Sequence, residues 1–191
     1  ASHDVVITVY GATDHPTASA GSASTTEDTL LTFANSDFSF TDVDGDDTSF
    51  SRIQITTLES SGDLECNNAN GGAGGWADCV ADDYVTAGTA LRLTPGANSD
   101  ADITFSFKVH DGTAYSTSSY VMTVGVSAAN DAPTFSATAN DLTVNEDTAG
   151  TITGTTVADV DHSSLTMTVA STQSATFSLA TTNGLTFSAG D

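Results

Sequence analysis

Ile103-Thr104-Phe105-Ser106-Phe107-Lys108-Val109, followed by Tyr120-Val121-Met122-Thr123-Val124, decides how this chain folds. In both stretches every second residue is apolar or aromatic. A period of two puts alternate side chains on opposite faces of an extended strand, so each stretch reads as a strand with one buried face. Working outward, the same alternation recurs at Val5-Val6-Ile7-Thr8-Val9, Phe38-Ser39-Phe40, Ile53-Gln54-Ile55 and Leu91-Arg92-Leu93. Clusters of Gly, Asn, Asp and Pro separate these runs. Thr, Ser, Val and Gly dominate, and the strong helix formers are scarce. The expected fold is all-β, an antiparallel β-sandwich.

The 191 residues suit one large domain or two small ones. Hydrophobic content of 38% with nine Phe is enough for a packed core despite a formal charge of -22. The only cations are Arg52, Arg92 and Lys108, which excludes a basic face for nucleic acid or an anionic membrane. No apolar run approaches the roughly 18 residues a membrane-spanning helix needs. No leader-like segment opens the chain, and it reads as a piece of something longer.

The chain also repeats itself. Pro16 and Pro133, Asp42 and Asp159, Asp44 and Asp161, and Val9 and Val126 are all separated by 117 residues. Thr26-Glu27-Asp28-Thr29 matches Asn145-Glu146-Asp147-Thr148 at a separation of 119, so a small insertion lies between the anchors. A tandem repeat of about 117 residues follows, near the size of one sandwich. It divides the chain into residues 1–14, the last strand of a preceding repeat with its linker; 15–131, a complete repeat; and 132–191, the first half of another.

Asp42-Val43-Asp44-Gly45-Asp46-Asp47 holds two carboxylates two residues apart, where a turn can aim both at one point. Hard cations such as Ca²⁺ take six to eight oxygen ligands, and acidic turns supply them. Asp159-Val160-Asp161 repeats the pair. The 12-residue loop of an EF-hand is not present.

Phe107-Lys108-Val109-His110-Asp111-Gly112, then an alternating strand, then Asn130-Asp131-Ala132-Pro133, resembles the end of a cadherin-like repeat. Glu146-Asp147 and Asp159-x-Asp161 resemble the start of the next one. The chain as a whole is similar to the cadherin-like and VCBS-type tandem repeats of giant secreted, RTX-type bacterial adhesins. That resemblance implies Ca²⁺ between successive domains, held by linker acids, a Glu of the domain before and an Asp-x-Asp of the domain after. Carried onto this chain, the junction near residue 131 would use Glu27, Asn130, Asp131, Asp159 and Asp161. The junction near residue 14 would use Asp14, Asp42, Asp44 and Asp111, and Glu146 would serve a further one. The linker is one residue shorter than the metazoan Asp-x-Asn-Asp-Asn-x-Pro form. No Asp-Arg-Glu motif is present, and Thr13 stands where the second linker has Asn130.

Cys66 and Cys79 bracket a Gly- and Asn-rich loop containing Trp76, the single Trp. Their spacing in an extracellular-looking chain predicts a disulfide, and no Cys or His pair completes a zinc set. Trp76 reads either as a cap folded over the sandwich or as a contact for a sugar or protein ligand. No Gly-x-Ser-x-Gly elbow, phosphate loop or His-Glu-x-x-His occurs, and the acid pairs recur as a repeat element, so no enzymatic activity is expected. The resemblance implies an extracellular, calcium-stiffened segment of a large adhesin whose partners are neighbouring repeats. Two alternatives are a module that binds glycans or cell-surface proteins through the Cys66–Cys79 loop, and a filament subunit that donates the Val5–Val9 strand to the next chain.

Overall fold

The computed structural model describes residue 3 and residues 13–43, 49–137, 145–151 and 155–166. Asp44, the strand expected over Val5–Val9 and residues 167–191 lie outside the described residues. The contacts of the chain divide it into two units, Ala1–Ala129 and Asn130–Asp191.

In the first unit the described strands are β1 (Gly21–Thr26), β2 (Leu31–Thr32), β3 (Arg52–Thr57), β4 (Asp63–Asn67), β5 (Trp76–Asp78), β6 (Tyr84–Val85), β7 (Leu91–Thr94), β8 (Ile103–His110) and β9 (Tyr120–Ser127). They form a five-stranded sheet in the order β1-β9-β8-β3-β6 and a four-stranded sheet in the order β2-β7-β4-β5. The alternation in the sequence becomes alternation in burial. Ile103, Phe105, Phe107 and Val109 are buried, as are Met122 and Val124 opposite them. Ile53 and Ile55 of β3, Leu64 and Cys66 of β4, and Leu91 and Leu93 of β7 turn inward in the same way. All belong to one core cluster contributed by both sheets. Edge-on aromatic contacts join the layers: Phe33 meets Phe105 at 5.6 Å and Phe38 meets Phe107 at 5.0 Å between ring centroids.

Two expectations are corrected. Most pairings are antiparallel, but β1 runs parallel to β9, from Gly21 beside Met122 to Thr26 beside Ser127. Its sequence, Gly-Ser-Ala-Ser-Thr-Thr, has almost no apolar alternation. Small side chains fit here because a Cβ on Gly21 would run into Met122 and the Asp37 carbonyl. Phe38-Ser39-Phe40 is not a strand. The Asp37 carboxylate accepts the Ala34 N–H at 2.8 Å and closes a 3-10 turn over Asn35–Asp37, leaving Phe38 to drop into the core from the turn's end. Two apolar residues around one polar residue are too few to outweigh that turn.

The second unit contains β10 (Thr134–Ala137) and β11 (Thr155–Ala158), an antiparallel pair that sets Thr134 beside Ala158. The first unit has the same pairing 117 residues earlier, as a bridge between Thr17 and Thr41. In each, the Thr hydroxyl also donates to the carbonyl across from it: Thr17 to Thr41 at 3.3 Å and Thr134 to Ala158 at 3.0 Å. A second local structure recurs at a separation of 119. The Thr29 N–H donates to the Thr26 carbonyl and the Thr148 N–H to the Asn145 carbonyl, both at 3.2 Å. Within these turns Asp28 and Asp147 hold left-handed φ values of 57° and 62°, a conformation Asp tolerates better than most residues.

Candidate metal centres

Glu27 follows directly on β1. Its N–H donates to the Ser127 carbonyl at 2.9 Å, extending the parallel ladder one step beyond the strand. The left-handed residue that follows turns the chain away, and the Glu27 side chain folds inward to 2% exposure. One carboxylate oxygen, Oε1, accepts the Ala129 N–H at 2.8 Å. The other, Oε2, is buried with no hydrogen-bond partner. Leaving a buried carboxylate oxygen unpaired costs about 1–3 kcal/mol or more.

The opposite end of the same sheet, where β8 finishes, has a second such acid. Asp111 is 5% exposed. Its Oδ1 accepts the N–H groups of Thr113 at 2.5 Å and Ala114 at 2.7 Å, holding a turn in which Gly112 takes a φ of 122°. Its Oδ2 is buried without a partner. Burial pushes the Asp111 carboxyl up, but the N–H groups of Ala114 and Thr113 and the neighbouring His110 outweigh it and hold it below its ordinary value. His110 is itself held below its usual range, by burial first and by Arg52 second. Its Nδ1 accepts the Gly112 N–H at 2.8 Å, which suits the neutral ring.

Two more of the expected acids reach this end. His15 Nδ1 lies 2.8 Å from the Tyr115 carbonyl, and Tyr115 bridges to His110, so the segment carrying Asp14 is tied to the Asp111 turn. The Thr17–Thr41 bridge brings in Asp42, the next residue along. Asp14, Asp42 and Asp111 thus come from three segments to one end of the first unit, and Glu27 lies at the other.

In the second unit the Asp131 N–H donates to Asp161 Oδ2 at 2.5 Å. Asp159 Oδ1 accepts the N–H groups of Asp161 at 2.9 Å and His162 at 3.0 Å. Burial would raise the Asp159 carboxyl, but those two N–H groups and the His162 side chain outweigh it, and it is held below its ordinary value. The structure therefore gathers Asp131, Asp159 and Asp161 around one turn. Asn130 beside them donates from Nδ2 to the Asp131 carbonyl at 2.8 Å. Glu146 stands exposed on its own turn, apart from any acid the described contacts give it. Among the described residues no three His, Cys, Asp or Glu side chains form a finished metal-binding group. What the described halves offer is acid pairs, Asx turns, and two buried carboxylates with one idle oxygen each. Oxygen-only donors of this kind fit a hard cation and no soft one.

Cys66 of β4 and Cys79 just after β5 are bonded to each other, and both are buried. Inside the loop they close, Asn70 donates to Asp83 Oδ1 at 2.6 Å and accepts the Tyr84 N–H at 3.1 Å, so the loop is pinned to the chain that follows. Trp76 does not cap the core. It lies on the outer side of the four-stranded sheet with the Arg92 guanidinium 4.3 Å from its ring centroid. Glu65 receives that guanidinium with two hydrogen bonds, at 2.6 and 2.8 Å. The sequence reading missed this stack, because Glu65, Trp76 and Arg92 become neighbours only once the β4–β5 and β4–β7 registers are fixed. Among the described residues no helix is long and apolar enough to cross a membrane. Comparison of the chain with protein-family models, with curated proteins and with solved structures returned no match.

Proposed function

We infer that this chain is a segment of an extracellular repeat array stiffened by Ca²⁺, as its resemblance to cadherin-like and VCBS-type adhesin repeats implies. The observation that carries the reading is the pair of buried carboxylates, Glu27 and Asp111, each with one oxygen left without a partner. A bound cation satisfies such an oxygen. The recurrence of the same pairing at 117 residues and the same turn at 119 supports the repeat on which the reading depends. The disulfide supports an oxidising, extracellular setting.

The residues divide the work as follows. As the resemblance implies, Glu27, Asn130, Asp131, Asp159 and Asp161 would hold the ion of one junction, and Asp14, Asp42, Asp44 and Asp111 that of the preceding one. Bound Ca²⁺ supplies a double positive charge and six to eight coordination positions for oxygen. The backbone N–H groups on Asp111 and Asp159 keep those carboxylates ionised and fix their orientation. Without a cation the acids of consecutive repeats repel, and a flexible linker follows. With it, the same acids become shared ligands and the array stiffens. Extracellular modules bind Ca²⁺ with Kd of about 10⁻⁴–10⁻³ M, which suits a site with few ligands.

Calorimetric titration with Ca²⁺ tests this directly. Binding is expected in the unmodified chain, and Asp159→Ala combined with Asp161→Ala is expected to lose the site of the junction near residue 131, with small-angle scattering showing a longer particle only when Ca²⁺ is present. Equal heats in both proteins, or scattering unchanged by EDTA, would remove the proposal.

A further inference from the structure

The outer faces of the two sheets in the first unit carry opposite charge. On the five-stranded sheet, Arg52 and Gln54 of β3, Lys108 of β8 and Tyr84 of β6 point away from the core, since their strand neighbours point inward. Gln54 pairs with both Tyr84 and Lys108, and Arg52 is one outward position further along. Arg52 and Lys108 are therefore diagonal neighbours, about 7–8 Å apart across the ladder. The Arg52 guanidinium is held 4.6 Å from the Tyr84 ring centroid. The remaining outward strand positions described for this sheet are Ser, Thr, Val, Gly and His110, which stands directly across from Arg52, and the Asp102 carboxylate reaches only the far end of the face, 3.8 Å from where a Cβ on Gly125 would lie. Among the described residues neither cation has a carboxylate partner. Two of the three cations in a chain of charge -22 thus lie together at one end of this face, where no described strand position is acidic.

The four-stranded sheet is the reverse. Asp63 and Glu65 of β4 and Asp78 of β5 point outward together, with Asp78 directly across from Glu65. Glu59 approaches from the preceding turn, where Oε1 accepts the Leu64 N–H and Oε2 has no partner. The single cation here, Arg92, is engaged by Glu65 and covers Trp76. Partial burial and the repulsion of Asp78, Glu65 and Glu59 raise the Asp63 carboxyl above its ordinary value. Like charges crowded on one rigid sheet are unfavourable in an isolated unit.

We propose that these two faces dock against each other between copies of this chain, the Arg52–Lys108 face of one on the Asp63–Asp78 face of the next. Charge complementarity selects the partner: the neighbouring cations of one face meet the crowded acids of the other. The two faces back the same unit, so the contact is heterologous and does not close, and it joins chains side by side. At about 4.8 Å per strand the four-stranded face is only about 19 Å across, below the footprint of a standard stable interface. The contact is therefore weak for a single unit and gains strength by repetition along an array. The net charge opposes approach at long range, but salt at about 0.15 M screens charges beyond about 8 Å and leaves close pairs in force.

The test is sedimentation of the full chain in EDTA, which keeps the proposed calcium sites out of play. At about 0.15 M salt the unmodified chain is expected to self-associate as its concentration rises, and to become monomeric at about 1 M, where the screening length shrinks to about 3 Å. Reversing one face (Arg52→Glu with Lys108→Glu) or the other (Asp63→Lys with Asp78→Lys) weakens association at least tenfold. All four side chains point away from the core, Asp63 and Asp78 exposed and Arg52 and Lys108 half-buried, and circular dichroism checks that both variants stay folded. Mixing the two variants restores association, because each retains the face the other has lost. A chain monomeric at every concentration, or reversals that leave association unchanged, would overturn the proposal. So would binding to immobilised heparin that needs Arg52 and Lys108 while the chain itself stays monomeric, since the face would then belong to an anionic polysaccharide.

Discussion

Glu27 and Glu146 occupy the same turn and live in different surroundings. Each precedes an Asp in the left-handed region, and each turn is closed by a hydrogen bond of 3.2 Å between equivalent residues. Yet Glu27 is 2% exposed, while Glu146 stands in solvent. The turn is local and is written in four residues. The burial is not local. Glu27 owes it to β9, whose end supplies the Ser127 carbonyl and the Ala129 N–H about a hundred residues later. No described residue does this for Glu146. At this turn a carboxylate oxygen is buried and left without a hydrogen-bond partner only where a distant strand covers it.

The same contrast separates the cores of the two units, and the largest expected effect lies there. Phe105→Ala removes a buried ring from the centre of the first unit and is expected to cost about 3–5 kcal/mol. Phe135→Ala, in β10 at 64% exposure, is expected to stay within about 0.5 kcal/mol. Chemical denaturation of both variants checks the pair, and equal losses would mean that Phe135 is buried in the protein as it folds.

Next in size is the disulfide. Cys66→Ala with Cys79→Ala opens a loop with a sequence separation of 13. The expected loss is about 3 kcal/mol if the bridge acts mainly by restricting the unfolded chain. Thermal unfolding with and without reductant should give the same difference in the unmodified protein.

The two glutamates can then be set against each other. At a Ca²⁺ concentration about 100 times the Kd, binding to the folded state alone adds about 2.7 kcal/mol. Glu27→Gln is expected to abolish most of that gain, and Glu146→Gln to leave it intact. A Ca²⁺-induced rise in Tm that survives Glu27→Gln would detach the buried carboxylate from the metal.

The smallest effect concerns Glu65 and Arg92. The hydrogen bonds from Arg92 hold the Glu65 carboxyl below its ordinary 4.5. A carboxyl lowered on folding contributes stability that is present above its unfolded value and disappears as pH falls through the folded one. The Tm difference between the unmodified chain and Arg92→Gln should therefore be present at neutral pH and vanish in the acid range below 4.5. A difference that persists in acid would mean that the stacking of Arg92 on Trp76, and not its charge, supports the sheet.

The strands with buried partners on both sides could be read directly. β3, β7, β8 and β9 announce themselves because burial on one face enforces an apolar residue at every second position. β1 could not, since among the described strands it stands at the edge of its sheet and is built of small residues whose place depends on the room Met122 and Asp37 leave at Gly21. The disulfide was legible from the spacing of Cys66 and Cys79, and the acidic turns from their recurrence. The orphaned oxygens of Glu27 and Asp111 were not, because exposure and hydrogen bonding belong to the folded chain. The stack of Glu65, Arg92 and Trp76 was hidden for the same reason.

The sequence by itself determined the all-β class, the inward face of each long strand, the disulfide and the 117-residue recurrence of its acidic turns. These are consequences of local periodicity, of chain entropy in a Gly-rich loop and of short-range turn chemistry. Tertiary structure alone decided the parallel seat of β1, which carboxylates are buried, and the placing of Arg52 and Lys108 on one sheet and the crowded acids Asp63, Glu65 and Asp78 on the other. Those outcomes depend on register between strands far apart in the chain, where a shift of one residue would turn every side chain to the other face.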